Sequence, residues 1–200
     1  MFIVSAPSGA GKTTLCTKVL SLIPRLHFSV SYTTRRPRPG EVHDRDYTFV
    51  PREHFTSMIE RGEFLEWAEV HGELYGTSKE RIEMLRDSGN DVLLDIDTQG
   101  AMKIKDISGE GVFIFILPPS LDVLKTRLDK RMTDSPDQIR MRLQKAISEI
   151  RRYDQYDYVI INDNFEEALK ELASILIARR AHMQNINPLW VEERFFSQEG

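Results

Sequence analysis

Residues Ala6-Pro7-Ser8-Gly9-Ala10-Gly11-Lys12-Thr13 place small side chains, two glycines, a lysine and a hydroxyl in one short stretch. Such residues let consecutive backbone N–H groups turn inward around a phosphate. Lys12 can then reach the β and γ oxygens of a nucleotide, and Thr13 can ligate magnesium. The strict pattern of such loops opens on glycine, whereas position 6 is alanine; a methyl group is tolerable there if the backbone is not at positive φ. Asp95-Ile96-Asp97 supplies a second set of groups. Residues two apart on a strand face the same way, so both carboxylates can serve one site, one of them in the outer shell of a nucleotide-bound magnesium. Two cationic clusters complete the inventory. One is Arg35-Arg36-Pro37-Arg38, and the other spans residues 125–145, with Lys125, Arg127, Lys130, Arg131, Arg140, Arg142 and Lys145 against Asp129, Asp134 and Asp137.

These groups must be positioned by short buried elements. Ile3–Ser5, His27–Ser31, Val92–Ile96, Val112–Leu117 and Tyr158–Ile161 are apolar, β-branched runs suited to strands covered on both faces. Helical patterns lie between most of them, at 12–22, 99–105 and 121–131. Ser135-Pro136 opens a further helix with Ile139, Leu143, Ala146, Ile147 and Ile150 on one stripe, and a last helix runs from Phe165 to Gln184. Alternating strand and helix predicts an α/β fold with right-handed crossovers. The phosphate-binding stretch falls between the first strand and the first helix, where a helix N-terminus adds partial positive charge. Cys16, one turn into that helix, reads as a small buried filler. Residues 35–80 break the rhythm. Tyr47–Val50, Phe64–Val70 and Glu73–Tyr75 read as short strands of a small antiparallel lobe, with His71-Gly72 as a tight turn. In Phe64–Val70 the alternation puts Glu66, Ala68 and Val70 opposite Leu65, Trp67 and Glu69.

The 200 residues, 40% apolar and 29% charged, fit one soluble globular domain with inserted segments. No apolar run reaches the ~20 residues needed to span a bilayer, and the first residues do not read as a secretory leader. One cysteine cannot form an internal disulfide and five scattered histidines show no metal spacing, so a reducing cytoplasm is the expected home. A net charge of −4 disfavours nucleic acid and membrane surfaces as partners. Residues 125–145 alone carry +4, leaving −8 elsewhere. Cationic islands in an acidic chain suit a small, highly charged ligand better than a polyanion.

Phe28-Ser29-Val30-Ser31-Tyr32-Thr33-Thr34-Arg35, Arg38-Pro39-Gly40-Glu41, Asp46-Tyr47, Glu63-Phe64-Leu65-Glu66-Trp67, Tyr75-Gly76-Thr77 and Leu94-Asp95-Ile96-Asp97-Thr98-Gln99-Gly100 follow the phosphate loop in order. With them the chain resembles the guanylate kinase family from the loop to about residue 180. The resemblance implies a phosphate-loop NTPase fold with a five-stranded parallel core (1–33, 81–123 and 146–187), a GMP-binding lobe at 34–80, a lid at 124–145 and a tail at 188–200. It implies the reaction ATP + GMP ⇌ ADP + GDP with Mg²⁺, and dGMP as a candidate second acceptor. Carried over by residue, Ala6 to Thr14 and Asn162 would hold ATP, with Asn162 against adenine, and Thr13 would meet the metal directly and Asp95 through water. Arg35, Arg38, Tyr47 and Tyr75 would hold the GMP phosphate, Ser31, Glu66 and Thr77 would read guanine, and Asp95 and Asp97 would serve the metal and acceptor side. Lys12, Arg127, Arg131 and Arg142 would act on the transferring phosphoryl group, with Ser135 at the lid tip.

Elementary chemistry agrees with these roles. Guanine presents a ring N–H and an exocyclic amine side by side, matching the two oxygens of an ionised Glu66, whereas adenine offers an acceptor and no amine there. Sites built on such pairing can reject the wrong ligand by ~10⁴-fold. Arg35 and Arg38 can each fork onto a phosphate, with Pro37 stiffening their spacing. Arg127 and Arg131, four apart, share a helix face, and the following helix returns Arg142 toward them. The rivals are a guanylate-kinase-like interaction module, disfavoured because Lys12, Thr13 and the lid arginines are present, and a related kinase for another acceptor. The chain reads as either a monomer or a homo-oligomer. The aromatic tail around Trp190, Phe195 and Phe196 suits docking on the core or on another subunit.

Overall fold

The computed structural model describes residues 1–70, 72–129 and 136–196. Its main sheet has five parallel strands. β1 (Phe2–Ser5) is central, flanked by β7 (Asp91–Asp95) and β8 (Val112–Leu117), with β2 (Leu26–Phe28) and β9 (Tyr158–Ile161) at the edges. β1 is buried along its whole length and β8 along all but its last residue, as their unbroken apolar runs require. On one face, α1 (Lys12–Leu22) and α7 (Phe165–Arg180) enclose Phe2, Val4, Leu15, Val19, Ile114 and Leu172. On the other, α4 (Thr98–Ser108) covers Ile3, Leu94, Ala101, Ile104, Phe113 and Phe115. Cys16 is 1% exposed within the first of these layers, and burial pushes its thiol up, away from the reactive thiolate.

A four-stranded sheet departs from the main one. β3 (Tyr32–Thr33), β4 (Thr48–Phe49), β5 (Phe64–Val70) and β6 (Glu73–Ser78) lie in the order β4-β3-β6-β5. The expected antiparallel lobe is therefore a mixed sheet, because β3 and β4 run parallel while β6 is antiparallel to both of its neighbours. The expected strand 27–31 is divided. The Ser29 N–H still donates to the Leu93 carbonyl, but the chain then crosses to the second sheet, and the Ser31 carbonyl accepts from Thr48. β6 runs three residues beyond the expected Tyr75 end. Tyr47 precedes β4 and joins only an isolated bridge with His43. His71 of the expected turn lies outside the described residues.

Two helices were not legible from the sequence, α2 (Arg52–Glu60) and α3 (Lys79–Asp87). α2 contributes Phe55 and Met58 to a separate cluster with Phe64 and Leu74, so the second sheet has its own small core. α3 returns the chain to β7, and its Arg81 donates to Thr48 and pairs with Asp44. The helix expected at 121–131 appears as α5 (Leu121–Asp129), packed against α6 (Pro136–Ile150) through Leu124, Leu128 and Ala146. α4 is longer at both ends than the expected 99–105. α7 ends at Arg180 rather than Gln184, where Arg180 pairs with Asp91 and donates to the Pro24 carbonyl. Beyond it, α8 (Pro188–Val191) and one π-helical turn present Leu189, Trp190, Phe195 and Phe196 to solvent. Among the described residues, no helix is long and apolar enough to cross a membrane.

Candidate active site

Ligands of open parallel sheets bind beyond the carboxyl ends of the strands, where connections diverge to opposite sides. Here the chain leaves β1 toward β2 on one side, while β8 lies on the other, and the Ala6–Thr13 loop occupies that divergence. Gly9 and Gly11 have φ of 93° and 92°, and Ala6 is not among the residues at positive φ, so its methyl is unstrained. A Cβ on Gly11 would stand 2.4 Å from the Asn162 amide nitrogen, which donates to the Ala10 carbonyl at 2.7 Å. Arg127 braces the same place, donating to the carbonyls of Ala10 and Asn162 at 3.4 and 3.1 Å. Asn162, expected against adenine, is 6% exposed and underlies the loop.

Lys12 and Thr13 open α1 facing the end of β7. Lys12 Nζ pairs with Asp95 and donates to the Ile96 carbonyl at 2.6 Å, and Thr13 Oγ1 donates to Asp95 Oδ2 at 3.1 Å. Burial opposes the Lys12 charge, but Asp95 outweighs it and holds the ammonium above its ordinary value. A hydroxyl and a carboxylate this close are hard oxygen donors suited to Mg²⁺. No group of three or more His, Cys, Asp or Glu among the described residues forms a complete metal cage, so an ion here would also need oxygens from a phosphate. Asp97 takes a different task, capping α4 by accepting the Gly100 N–H at 2.8 Å.

Glu66, on the buried face of β5, is 7% exposed and accepts the Thr77 hydroxyl at 2.7 Å. Burial pushes its pKa up to about 7, against the Thr77 hydrogen bond and with a further push from Asp97. Arg35 forks onto Glu41 at 2.9 and 3.0 Å and lies 5.4 Å from the Tyr47 ring centroid. Tyr47 and Tyr75 stand edge to face at 5.9 Å, and burial, followed by Asp95, raises the Tyr47 hydroxyl. Arg38 is exposed, with its backbone N–H on Glu41. Ser31 is half-buried at the crossing between the sheets. Arg142 lies half-buried on α6, whereas Arg131 and Ser135 lie outside the described residues.

Two acidic residues have roles that the sequence motifs do not reveal. Glu41 neutralises Arg35, and its carboxyl is held below the ordinary range chiefly by that hydrogen bond. Glu149, 9% exposed on α6, faces the Ser8 backbone and lies 3.9 Å from Lys145. Its signal was its position three residues after buried Ala146, a charge on an apolar stripe.

Parallel sheet, glycine-bent loop and the lysine at the head of α1 together define a phosphate-loop nucleotide-binding protein. The family model for guanylate kinase matches residues 1–179, and the chain belongs to the guanylate kinase family. Relatives named guanylate kinase include one from Geobacter metallireducens, 51% identical over 98% of this chain and 96% of that protein. Another, from Geobacter sulfurreducens, is 50% identical over 93% and 92%. A crystal structure of guanylate kinase from Anaplasma phagocytophilum superimposes with a TM-score of 0.79 at 35% identity, covering 98% of this chain and 94% of that one.

Proposed function

We propose that the chain transfers the γ-phosphoryl group of ATP to GMP, giving ADP and GDP in purine nucleotide metabolism, with dGMP as a weaker acceptor. The observation that carries the assignment is the buried Glu66–Thr77 pair beside the first turn of α4, in a chain whose Lys12 and Thr13 meet Asp95 at the end of β7. The loop residues Ala6–Thr14 hold ATP, with Asn162 and Arg127 bracing them. Ser31, Glu66 and Thr77 read guanine. Arg35, Arg38, Tyr47 and Tyr75 hold the GMP phosphate, which would exchange with Glu41 for the Arg35 fork, and Asp97 lines the acceptor side. Residues 34–80 act as the GMP-binding lobe and 124–145 as the lid, on a core of 1–33, 81–123 and 146–187, with 188–200 as a tail.

Phosphoryl transfer asks the protein for alignment and charge cancellation more than for covalent chemistry. Lys12 moves from Asp95 to the phosphate oxygens, and Arg127, released from the Ala10 and Asn162 carbonyls, gathers with Arg131 and Arg142 over the transferring group. The GMP phosphate is itself the nucleophile and is ionised near pH 7, its second pKa lying near ~6, so the site needs no catalytic base. Mg²⁺, held by Thr13 and, through water, Asp95, would neutralise charge on the β and γ oxygens when bound with ATP. Closure of lobe and lid excludes water and prevents wasteful hydrolysis. A reducing cytoplasm suits the lone buried thiol.

Release of ADP from Mg-ATP, measured with GMP, dGMP, AMP, CMP and UMP in turn, tests the proposal. GMP should exceed AMP by at least ~10³-fold in kcat/KM, and Lys12→Ala should remove turnover with every acceptor. Equal rates with AMP and GMP would exclude the guanine assignment. No turnover with any acceptor would favour an interaction module.

A further inference from the structure

Gly100 is the third residue of α4, and it is buried. Unlike Gly9 and Gly11, it is not at positive φ, so no backbone requirement explains it. Glycine is also among the least favourable residues within a helix. The reason lies in front of its Cα. A Cβ added there would stand 2.8 Å from Glu66 Oε2 and 3.2 Å from Glu66 Cδ. The carboxylate cannot retreat freely, because Oε1 is held by Thr77 at 2.7 Å. Nor can the backbone of Gly100 easily shift, since its N–H is committed to Asp97 Oδ1 at 2.8 Å and α4 is packed by Ala101 and Ile104 into the core.

We propose that Gly100 is a specificity-determining positioning residue, whose missing side chain lets the Glu66 carboxylate lie against the first turn of α4 in the pose that accepts the guanine edge. This inference rests on the assignment of Glu66 to guanine. A methyl group at position 100 would press on the end of the Glu66 side chain, with Asp97 Oδ1 at ordinary contact distance and no backbone atom among its three nearest neighbours, so the displacement falls mainly on the recognition geometry. The substitution would also improve the helix. Stability and specificity should therefore move in opposite directions, which a purely structural glycine would not produce.

Steady-state kinetics and thermal melts of Gly100→Ala, Glu66→Gln, Glu66→Asp and the double variant Glu66→Asp/Gly100→Ala test it. Gly100→Ala should raise the KM for GMP at least tenfold, leave the KM for ATP within twofold, and melt at or above the wild-type temperature. Withdrawing the carboxylate by one methylene should make room for the methyl, so adding Gly100→Ala to Glu66→Asp should change the GMP KM less than threefold. An unchanged GMP KM in Gly100→Ala, a lowered melting temperature or failure to fold, or an equal loss in both backgrounds would overturn the proposal. If Glu66→Gln itself leaves GMP and AMP discrimination intact, the guanine assignment fails instead.

Discussion

Glu66 bears a cost that its surroundings make visible. Among the described residues Glu66 accepts one hydrogen bond, from the Thr77 hydroxyl, and at 7% exposure neither that bond nor the more distant charge of Lys103 offsets its burial, so its pKa rises to about 7. Guanine's two donors would supply that compensation, but only to the ionised form. GMP binding should therefore release a proton from Glu66 near neutrality. The KM for GMP should rise as pH falls through about 7, because the fraction of sites carrying the required charge falls. Phosphate protonation enters nearer ~6. A pH series of KM for wild type and Glu66→Gln separates the two, since only the wild type should show the component near 7. Matching profiles would contradict this role for Glu66. That Glu66 and Thr77 serve one site was implied by the resemblance, whereas their hydrogen bond was not legible, because the expected strand stopped at Tyr75. The pairing of Arg35 with Glu41 was not, because sequence spacing does not show which of several carboxylates a guanidinium will find.

Among the elements, the parallel core was legible because its strands are short apolar runs bounded by amphipathic helices. The second sheet was less so. Its strands of two residues, Tyr32–Thr33 and Thr48–Phe49, are too short to show a period, and α2 and α3 were masked by charged residues on their outer faces. What holds this sheet is the cluster of Phe55, Met58, Phe64 and Leu74, with the Phe55 and Phe64 rings stacked at 4.4 Å. Because that cluster is separate from the two main layers, the lobe can lose order without the core. Phe55→Ala, removing a ring with 0% exposure, should cost about 3–5 kcal/mol locally. Hydrogen exchange should then quicken in β3–β6 while β1, β7 and β8 keep their protection, and ATP affinity should be retained as GMP affinity is lost. Uniformly faster exchange would show that the two cores unfold together.

The net charge of −4 for the whole molecule conceals the arrangement that matters. In the sequence, cations cluster at Arg35–Arg38 and across residues 125–145, while in the fold Lys12 of the phosphate loop meets the Asp95 carboxylate and Glu66 is buried in the second sheet. Every one of those groups lies before residue 163, and the family match ends at 179. Beyond α7, Leu189, Trp190, Phe195 and Phe196 are 51–69% exposed, so they bury little against the described core. Removing residues 188–200 should leave GMP phosphorylation within twofold and the melting temperature within about 2 °C, since the Arg180 contacts to Asp91 and Pro24 remain. A large fall in either would show that the tail belongs to the catalytic fold.

A buried carboxylate on an inserted sheet selects the acceptor for a phosphate-loop kinase if Glu66 reads guanine. The most direct measurement of that selection is the ratio of kcat/KM for GMP to that for AMP, in wild type and in Glu66→Gln. The amide keeps the size of the side chain and can still accept from Thr77, but it turns a donor toward one guanine donor and removes the charge. The ratio should fall by ~10²-fold or more, almost entirely through the KM for GMP, with the KM for ATP unchanged. An unaltered ratio would show that Glu66 does not select the acceptor.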